Sequence, residues 1–414
     1  MRLNIKKLYG RFDYDLEFPD SGVAILTGPN GFGKSTLLRC IRAVGESDLN
    51  FFRTLEFSSF EMNSEKSDDS FIIERTNKDE YLINGTAYSA GDLRRYGQDS
   101  TGLSTASAQF LQISAEYASY IDRSTNKKKA AKAHDMSPLL EIMQRITGEV
   151  FLIEEQRLLK EKPADLKKEV IYSFSAPTVG ETVSDIPREL QDLLNQTTRE
   201  YSAVATRLDS QFLRRLLNRR KKEAFTEADF VEKYADTRQK LDTLRENGIS
   251  SFPDLGELRY QAENEDAFRI FFDDFAEKYA VYAPLMERMT LFRNTVNRRF
   301  RFKSLSYTEK GLVIRDNDSG KPLDLGQLSS GEKEILLLYF QLIFQTEPDM
   351  LILVDEPEIS LHVAWQRQFV LDLRRIAELN GFSAIIATHS PFISNSVDVV
   401  KYDLGELYQG RQDG

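Results

Sequence analysis

The chain has 414 residues, enough for a large core and for two domains or one domain with an insertion. Its 41% hydrophobic and 29% charged residues are an ordinary globular balance, and its single cysteine, Cys40, excludes a disulfide framework and any cysteine-rich zinc site, which fits a reducing, cytoplasmic compartment. A net charge of −10 argues against nucleic-acid binding by the whole surface while leaving room for a local basic patch, and no apolar run approaches the roughly 20 residues of a membrane span.

The first residues, Met1-Arg2-Leu3-Asn4-Ile5, read as a strand rather than a signal peptide. Residues 1–45 run strand, turn, strand, loop and helix, with Val23 to Thr27 as a buried-strand run and Ser35 to Val44 as the helix. Phe71 to Arg75 and Tyr81 to Ile83 flank a polar turn, which predicts a hairpin in an antiparallel layer beside a parallel sheet. Segments 91–108 and 121–135, the latter with Lys127, Lys128 and Lys129, read as polar surface loops.

Between 185 and 300 the character changes. Leu190, Leu194, Tyr201, Val204, Leu208, Phe212 and Leu216 recur at three- and four-residue spacing. Phe230, Tyr234, Leu241 and Leu244 form a second stripe, and Phe268, Phe271, Phe275, Tyr279, Tyr282, Met286 and Met289 a third. This period predicts amphipathic helices that pack on one another. Strand and turn return near 305–325. Residues 331–404 then alternate helix and strand, which adds two parallel strands at 350–354 and 383–387. The expected fold class is α/β: a parallel sheet flanked by helices, an antiparallel β layer, and a helical arm inserted between two lobes. The expected division is an N-terminal lobe 1–165, an arm 166–300 and a C-terminal lobe 301–414.

Gly28-Pro29-Asn30-Gly31-Phe32-Gly33-Lys34-Ser35 fits the pattern G-x-x-x-x-G-K-S/T, between a buried strand and a helix. Glycines there let backbone N–H groups turn around phosphate oxygens, the lysine reaches the β- and γ-phosphates, and the serine hydroxyl is a Mg²⁺ ligand. Asn30, Gly31, Gly33, Lys34, Ser35 and Thr36 are therefore the expected ATP-binding residues. Asp355-Glu356 ends an aliphatic strand. A carboxylate in that place is costly unless it holds a cation or a donor, so Asp355 is an expected Mg²⁺ ligand and Glu356 the expected general base. Ser329-Ser330-Gly331-Glu332 opens an apolar helix, where a capping box and an anion-binding helix end are compatible. His389 follows Ile385-Ile386-Ala387-Thr388. A lone strand-end histidine is commonly structural, but its place after the Asp-Glu strand favours a γ-phosphate sensor. Gln156 fits the Mg²⁺ and water shell, although Glu154, Glu155 and Arg157 also suit a surface segment. His362 fits either a contact to a second copy or a helix cap, and Phe12 and Tyr14 fit either adenine stacking or plain strand positions.

In this order the motifs resemble the ABC ATPase class that includes the RecF, Rad50 and SMC heads, over about residues 1–60, 145–160 and 320–400. The resemblance implies an ABC ATPase head with ATP and Mg²⁺ as ligands. It implies Lys34 and Ser35 as Walker A, Gln156 as Q-loop, Ser329 to Gly331 as signature, Asp355-Glu356 as Walker B, Ser360-Leu361-His362 as D-loop and His389 as switch histidine. Ser35, Gln156 and Asp355 would hold the metal. It further implies a homodimer or higher homo-oligomer, with each ATP between Lys34 of one copy and Ser329 to Gly331 of the other. The insertion is short and lacks the Cys-x-x-Cys hook of Rad50, and the 25 residues after His389 are too few for the Toprim domain of OLD-type nucleases.

Glu358 to His362 and Ile153 to Leu159 are similar to segments of the ATPase subunits of the bacterial antiphage systems Septu, PARIS and the retron-associated systems. That likeness implies a sensor and scaffold that controls a separate nuclease or toxin effector, with a phage protein as a possible trigger; nucleic acid is a possible but not a required partner, and the lack of a long apolar run points to no membrane partner. The alternative is a RecF-like repair ATPase clamping duplex DNA. Arg214, Arg215, Arg219, Arg220, Lys221 and Lys222, with Arg298, Arg299, Arg301 and Lys303, would then meet phosphates. Glu227, Asp229, Glu232, Asp273 and Asp274 dilute that field. A third reading is a scaffold that binds ATP and barely turns it over; the intact Glu356 argues against a dead site, yet an intact site can still be slow.

Overall fold

The computed structural model describes residues 1–19, 22–64, 68–77, 79–97, 136–153, 183–217, 225–250, 252, 254–360, 363–394 and 399–409. In chain order, β1 (Arg2–Leu8), β2 (Phe12–Glu17) and β3 (Gly22–Thr27) precede α1 (Lys34–Gly45) and α2 (Leu49–Thr54). There follow β4 (Ser59–Asn63), β5 (Ser70–Arg75), β6 (Glu80–Ile83), β7 (Thr86–Ser89), α3 (Ala90–Gly97), α4 (Ser137–Thr147) and β8 (Val150–Ile153). Three long helices come next, α5 (Ile186–Leu217), α6 (Glu227–Glu246) and α7 (Glu265–Asn297), then β9 (Lys303–Thr308), β10 (Gly311–Asp316), β11 (Pro322–Leu323) and α8 (Ser330–Phe344). The chain closes with β12 (Leu351–Asp355), α9 (Val363–Asn380), β13 (Ser383–Ala387), α10 (Pro391–Ser394), β14 (Val400–Asp403) and α11 (Leu404–Gln409).

These elements form two compact units, Met1–Gly180 with Thr346–Gly414, and Glu181–Gln345. The division falls elsewhere than the lobe boundaries expected from sequence: β9 to β11 and α8 group with the long helices, because they pack on the helical unit rather than join either large sheet.

The first unit holds two sheets. One is wholly parallel, in the order β14-β3-β13-β12-β8. Its central strands Val-Ala-Ile-Leu and Leu-Ile-Leu-Val are buried along their length, the pattern of strands covered on both faces. Register aligns the ends of the strands: Asp355 pairs with Ala387 and Ala387 with Leu26. The residues that follow β3, β12 and β13 therefore leave the sheet along one edge, where open α/β sheets place their ligands. The other sheet is antiparallel, β2-β1-β4-β5-β6-β7, and contains the hairpin expected at 71–83. Leu3, Ile5, Phe52, Phe60 and Phe71 belong to a common core with α1 residues Leu37, Leu38 and Ile41.

In the second unit, α5, α6 and α7 follow the three stripes of the sequence. Phe225, Phe230 and Phe272 make a separate aromatic core between α6 and α7. Lys278 on α7 reaches Asp209 on α5 at 2.7 Å, and Lys233 on α6 reaches Asp273 on α7 at 2.5 Å. Among the described residues no helix is long and apolar enough to cross a membrane.

Candidate active site

The loop from Gly28 to Gly33 connects β3 to α1 as the motif requires. Gly33 takes φ +87°, and a Cβ there would stand 2.8 Å from the Leu8 side chain, so both conformation and space demand glycine. Gly28 and Gly31 also have positive φ. Asn30 and Gly31 are exposed at the crest of the loop, while Lys34 is 5% exposed beneath it. Lys34 Nζ donates to the carbonyl oxygens of Gly28 at 2.9 Å and Pro29 at 3.4 Å. It also lies 3.8 Å from Glu356 Oε1. The Ser35 hydroxyl donates to Asp355 Oδ1 at 3.0 Å. Residues 320 positions apart thus present two oxygen donors to one point, a hard pair suited to Mg²⁺.

A cleft of about 540 Å³ opens over this loop. Asn30, Gly31, Gly33, Lys34, Ser35, Thr36 and Glu356 line it, together with Tyr9, Arg11 and Phe12 from the turn between β1 and β2. Tyr9 and Arg11 carry no motif that marks them; the pairing of β1 with β2 forms their turn, the core shared by that sheet and α1 sets it beside the loop, and the Tyr9 hydroxyl lies 2.6 Å from Thr36 Oγ1. Of the two aromatic candidates for adenine, Phe12 borders the cleft. Tyr14 is 1% exposed and its hydroxyl donates to the Phe32 carbonyl oxygen, so burial in the core withholds its ring from any ligand.

Glu356 has a backbone that its sequence does not announce. Its φ is +45°, a region that a β-carbon disfavours, and Pro357 ordinarily steers the preceding residue toward extended structure. The amide N–H of Glu356 donates to the Ala387 carbonyl oxygen at 2.9 Å, which holds this turn against the end of β13. Backbone strain of this kind gathers at functional sites. The carboxylate meets His389 Nδ1 at 2.5 Å. Burial first, and then the hydrogen bond and negative charge of Glu358, push the Glu356 carboxyl up to about 7, against the opposing pull of His389. An acid poised there suits proton transfer near neutral pH.

Glu358 was not distinguishable from its surface-prone neighbours by residue type. It is 8% exposed and accepts hydrogen bonds from the turn after β13. The signal available in sequence was a third carboxylate in the run Asp355-Glu356-Pro357-Glu358. Glu356, Glu358 and His389 bring three potential ligand atoms within 4.8 Å of one another.

Ser329 lies in the second unit, as N-cap of α8. Its hydroxyl and the Glu332 carboxylate form the reciprocal capping box. Lys303 reaches both Glu332 oxygens, at 2.9 and 2.7 Å. Burial pushes the Glu332 carboxyl up, but its bonds to Lys303 and Ser329 prevail and leave it below its ordinary value. Ser329 and Ser330 are exposed, and Gly331 has open space where a Cβ would stand. The helix start is thus capped and open to solvent. Gln156 and His362 lie outside the described residues.

Two family models each match more than half of the chain. One, described as "AAA domain, putative AbiEii toxin, Type IV TA system", matches residues 169–395, and the other, described as "AAA domain", matches residues 4–248. This chain belongs to the AAA-domain ATPase family. The AAA-domain chain is similar along nearly its whole length to solved structures of low identity. One is the Smc head domain with an extended coiled coil bound to the C-terminal domain of ScpA, from Pyrococcus furiosus: 14% identity over 96% of this chain and 91% of that chain, with a TM-score of 0.35. Another is the SMC head domain from Thermotoga maritima: 12% identity, 96% and 92% coverage, TM-score 0.35. A third is the recombination mediator protein RecF of the RecFOR pathway: 13% identity, 98% and 96% coverage, TM-score 0.32.

Proposed function

We propose that this AAA-domain protein binds and slowly hydrolyses ATP through paired heads, and that it serves as the sensor and scaffold of a bacterial antiphage complex whose nuclease or toxin is a separate chain. The observation that carries the ATPase reading is the meeting of Lys34, Glu356 and His389 at the aligned ends of β3, β12 and β13. Asn30, Gly31, Gly33 and Thr36 surround the phosphates as substrate enters. Lys34 exchanges the Gly28 and Pro29 carbonyl oxygens for phosphate oxygens. Glu356 takes the proton of the attacking water, and His389 faces the terminal phosphate. Ser35 and Asp355 fit Mg²⁺, with Gln156 as a further ligand from sequence. When bound, the metal neutralises developing phosphate charge.

Ser329, Ser330 and Gly331 would meet the nucleotide of a second copy, so ATP favours the closed pair and hydrolysis loosens it. The defence role rests on the AbiEii and Type IV toxin–antitoxin wording of the matching family model and on the resemblance of Glu358 to His362 to antiphage ATPase subunits. A phage protein would be the trigger, and the setting cytoplasmic.

The competing DNA-clamp reading needs free cations on the helical unit. Arg299 is 4% exposed, donating to the Thr295 carbonyl and the Tyr339 hydroxyl. Lys303 is bound to Glu332, and Arg215 to Asp274. These three are committed to the fold and withheld from phosphates, whereas Arg214 and Arg301 are exposed and Arg219, Arg220, Lys221 and Lys222 lie outside the described residues.

Glu356→Gln tests the ATPase reading: phosphate release should fall about 10²- to 10⁴-fold with ATP binding retained. Release at the wild-type rate would remove Glu356 from catalysis. For the defence role, native chain is recovered from its host. A stoichiometric nuclease supports the scaffold, and DNA lost at raised salt supports the clamp.

A further inference from the structure

Glu358 sits in the turn Pro357–Ser360, two residues past the base, and its side chain is 5% exposed. One oxygen, Oε1, gathers the whole turn that follows β13. It accepts from the Thr388 hydroxyl at 2.6 Å, the His389 amide at 2.9 Å and the Ser390 amide at 3.0 Å. The same oxygen lies 3.2 Å from His389 Nδ1. On the far side of the turn, the Ser390 hydroxyl donates to Gln366 Oε1 on α9 at 2.7 Å, and Gln366 is 7% exposed. The backbone of His389 is therefore gripped by buried acceptors, while its ring is half exposed and rests on Glu356.

This concentration of donors has a physical consequence. A buried carboxylate without donors costs several kcal/mol, and three charge-assisted bonds on Oε1, beside a buried Oε2 that has no hydrogen-bond partner among the described residues, offset part of that cost and fix the turn that supplies them. An ordinary turn closes with one neutral acceptor. Here a charge is buried 30 residues away from the turn it holds, and on the segment that carries Glu356. The clamp therefore ties the Glu356 strand end directly to the His389 strand end.

We propose that Glu358 is a positioning residue for hydrolysis: it clamps the Thr388–Ser390 turn so that His389 is held against Glu356 and toward the terminal phosphate. This rests on the ATPase reading above. Glu358 does not touch substrate; it acts through His389.

The test compares Glu358→Ala, Glu358→Gln, His389→Ala and the double variant Glu358→Ala with His389→Ala, by hydrogen exchange and by steady-state ATPase assay. Exchange of the His389 and Ser390 amides should speed about tenfold in Glu358→Ala and stay near wild type in Glu358→Gln, whose amide oxygen still accepts. Turnover should fall at least about tenfold in Glu358→Ala with KM nearly unchanged, and recover in Glu358→Gln. The double variant should be no slower than His389→Ala alone, because residues acting through one another are not additive. Unchanged exchange in Glu358→Ala, a rise in KM with kcat held, or additive losses in the double variant would each overturn the proposal. Should Glu358→Ala not fold, Glu358→Asp, which withdraws the carboxylate by one methylene, carries the same expectations. Wild-type protein that binds ATP without turnover would defeat the hydrolysis reading, and exchange would still decide whether Glu358 holds the turn.

Discussion

The two units use charge in opposite ways. At the nucleotide cleft, Lys34, Asp355 and Glu358 are each less than a tenth exposed, and their partners come from strand ends far apart in sequence. Along the helical unit two ion pairs, Lys233 with Asp273 and Arg207 with Glu277, join half-exposed side chains on neighbouring helices. Cohesion there comes from aromatic rings such as Phe225, Phe230 and Phe272. Burial makes electrostatics strong and geometry-dependent in the first case; solvent makes it weak and forgiving in the second. The cleft thus gathers buried charge at one point, and the helical unit takes its shape from apolar packing.

Truncating an aromatic anchor should break the helical unit most severely. Phe272 is 2% exposed, and its ring centroid lies 5.7 Å from that of Phe230. Phe272→Ala should cost about 3–5 kcal/mol of stability, read by chemical denaturation. Affinity for ATP should hold in the protein that remains folded, since Lys34 belongs to the other unit; a matching loss of affinity would show that the units do not behave separately.

Lys34→Ala should act the other way round. Removing a charge-assisted donor to phosphate should weaken ATP binding about 10- to 100-fold in a titration, with thermal stability little changed. Equal binding by the variant would take Lys34 out of its role.

Glu356 sharpens the contrast through pH. Its carboxyl holds its proton up to about 7 in the fold, against an ordinary value near 4.5. Between those values the folded state binds more protons than the unfolded chain, so the contribution of Glu356 to stability is full below about 4.5 and is lost as pH rises through 7. Without nucleotide or Mg²⁺, Glu356→Gln should flatten this slope, by about 1 kcal/mol after solvent screening. Melting curves of both proteins across that range decide it; parallel pH dependences would count against it.

Lys233→Ala should do least. Its pair with Asp273 has side chains 43% and 50% exposed, so its loss should cost about 0–1 kcal/mol and shrink further in salt. A larger loss would mean that the arm relies on charge after all.

Much of this protein was legible as local pattern. The spacing Gly28 to Ser35, the aliphatic run before Asp355 and the three helical stripes follow from short-range rules, in which a few neighbouring residues satisfy turn, strand or helix chemistry. Those rules gave the α/β fold class and the hairpin at 71–83. Tyr9 and Arg11 escaped because their turn reaches the cleft only through the packing of the antiparallel sheet against α1. Tyr14 looked available to a ligand because periodicity does not say which face of a strand is covered. The grouping of α8 with the long helices, rather than with the sheet of Asp355, was likewise invisible to spacing.

The sequence by itself determined which residue types stand at the ends of β3, β12 and β13, because each motif is contiguous. Only the tertiary structure decided that Glu356 takes positive φ, that Glu358 is buried and that His389 leans on both. Those properties belong to parallel strands set in register, where groups more than 30 residues apart share one small volume shielded from water.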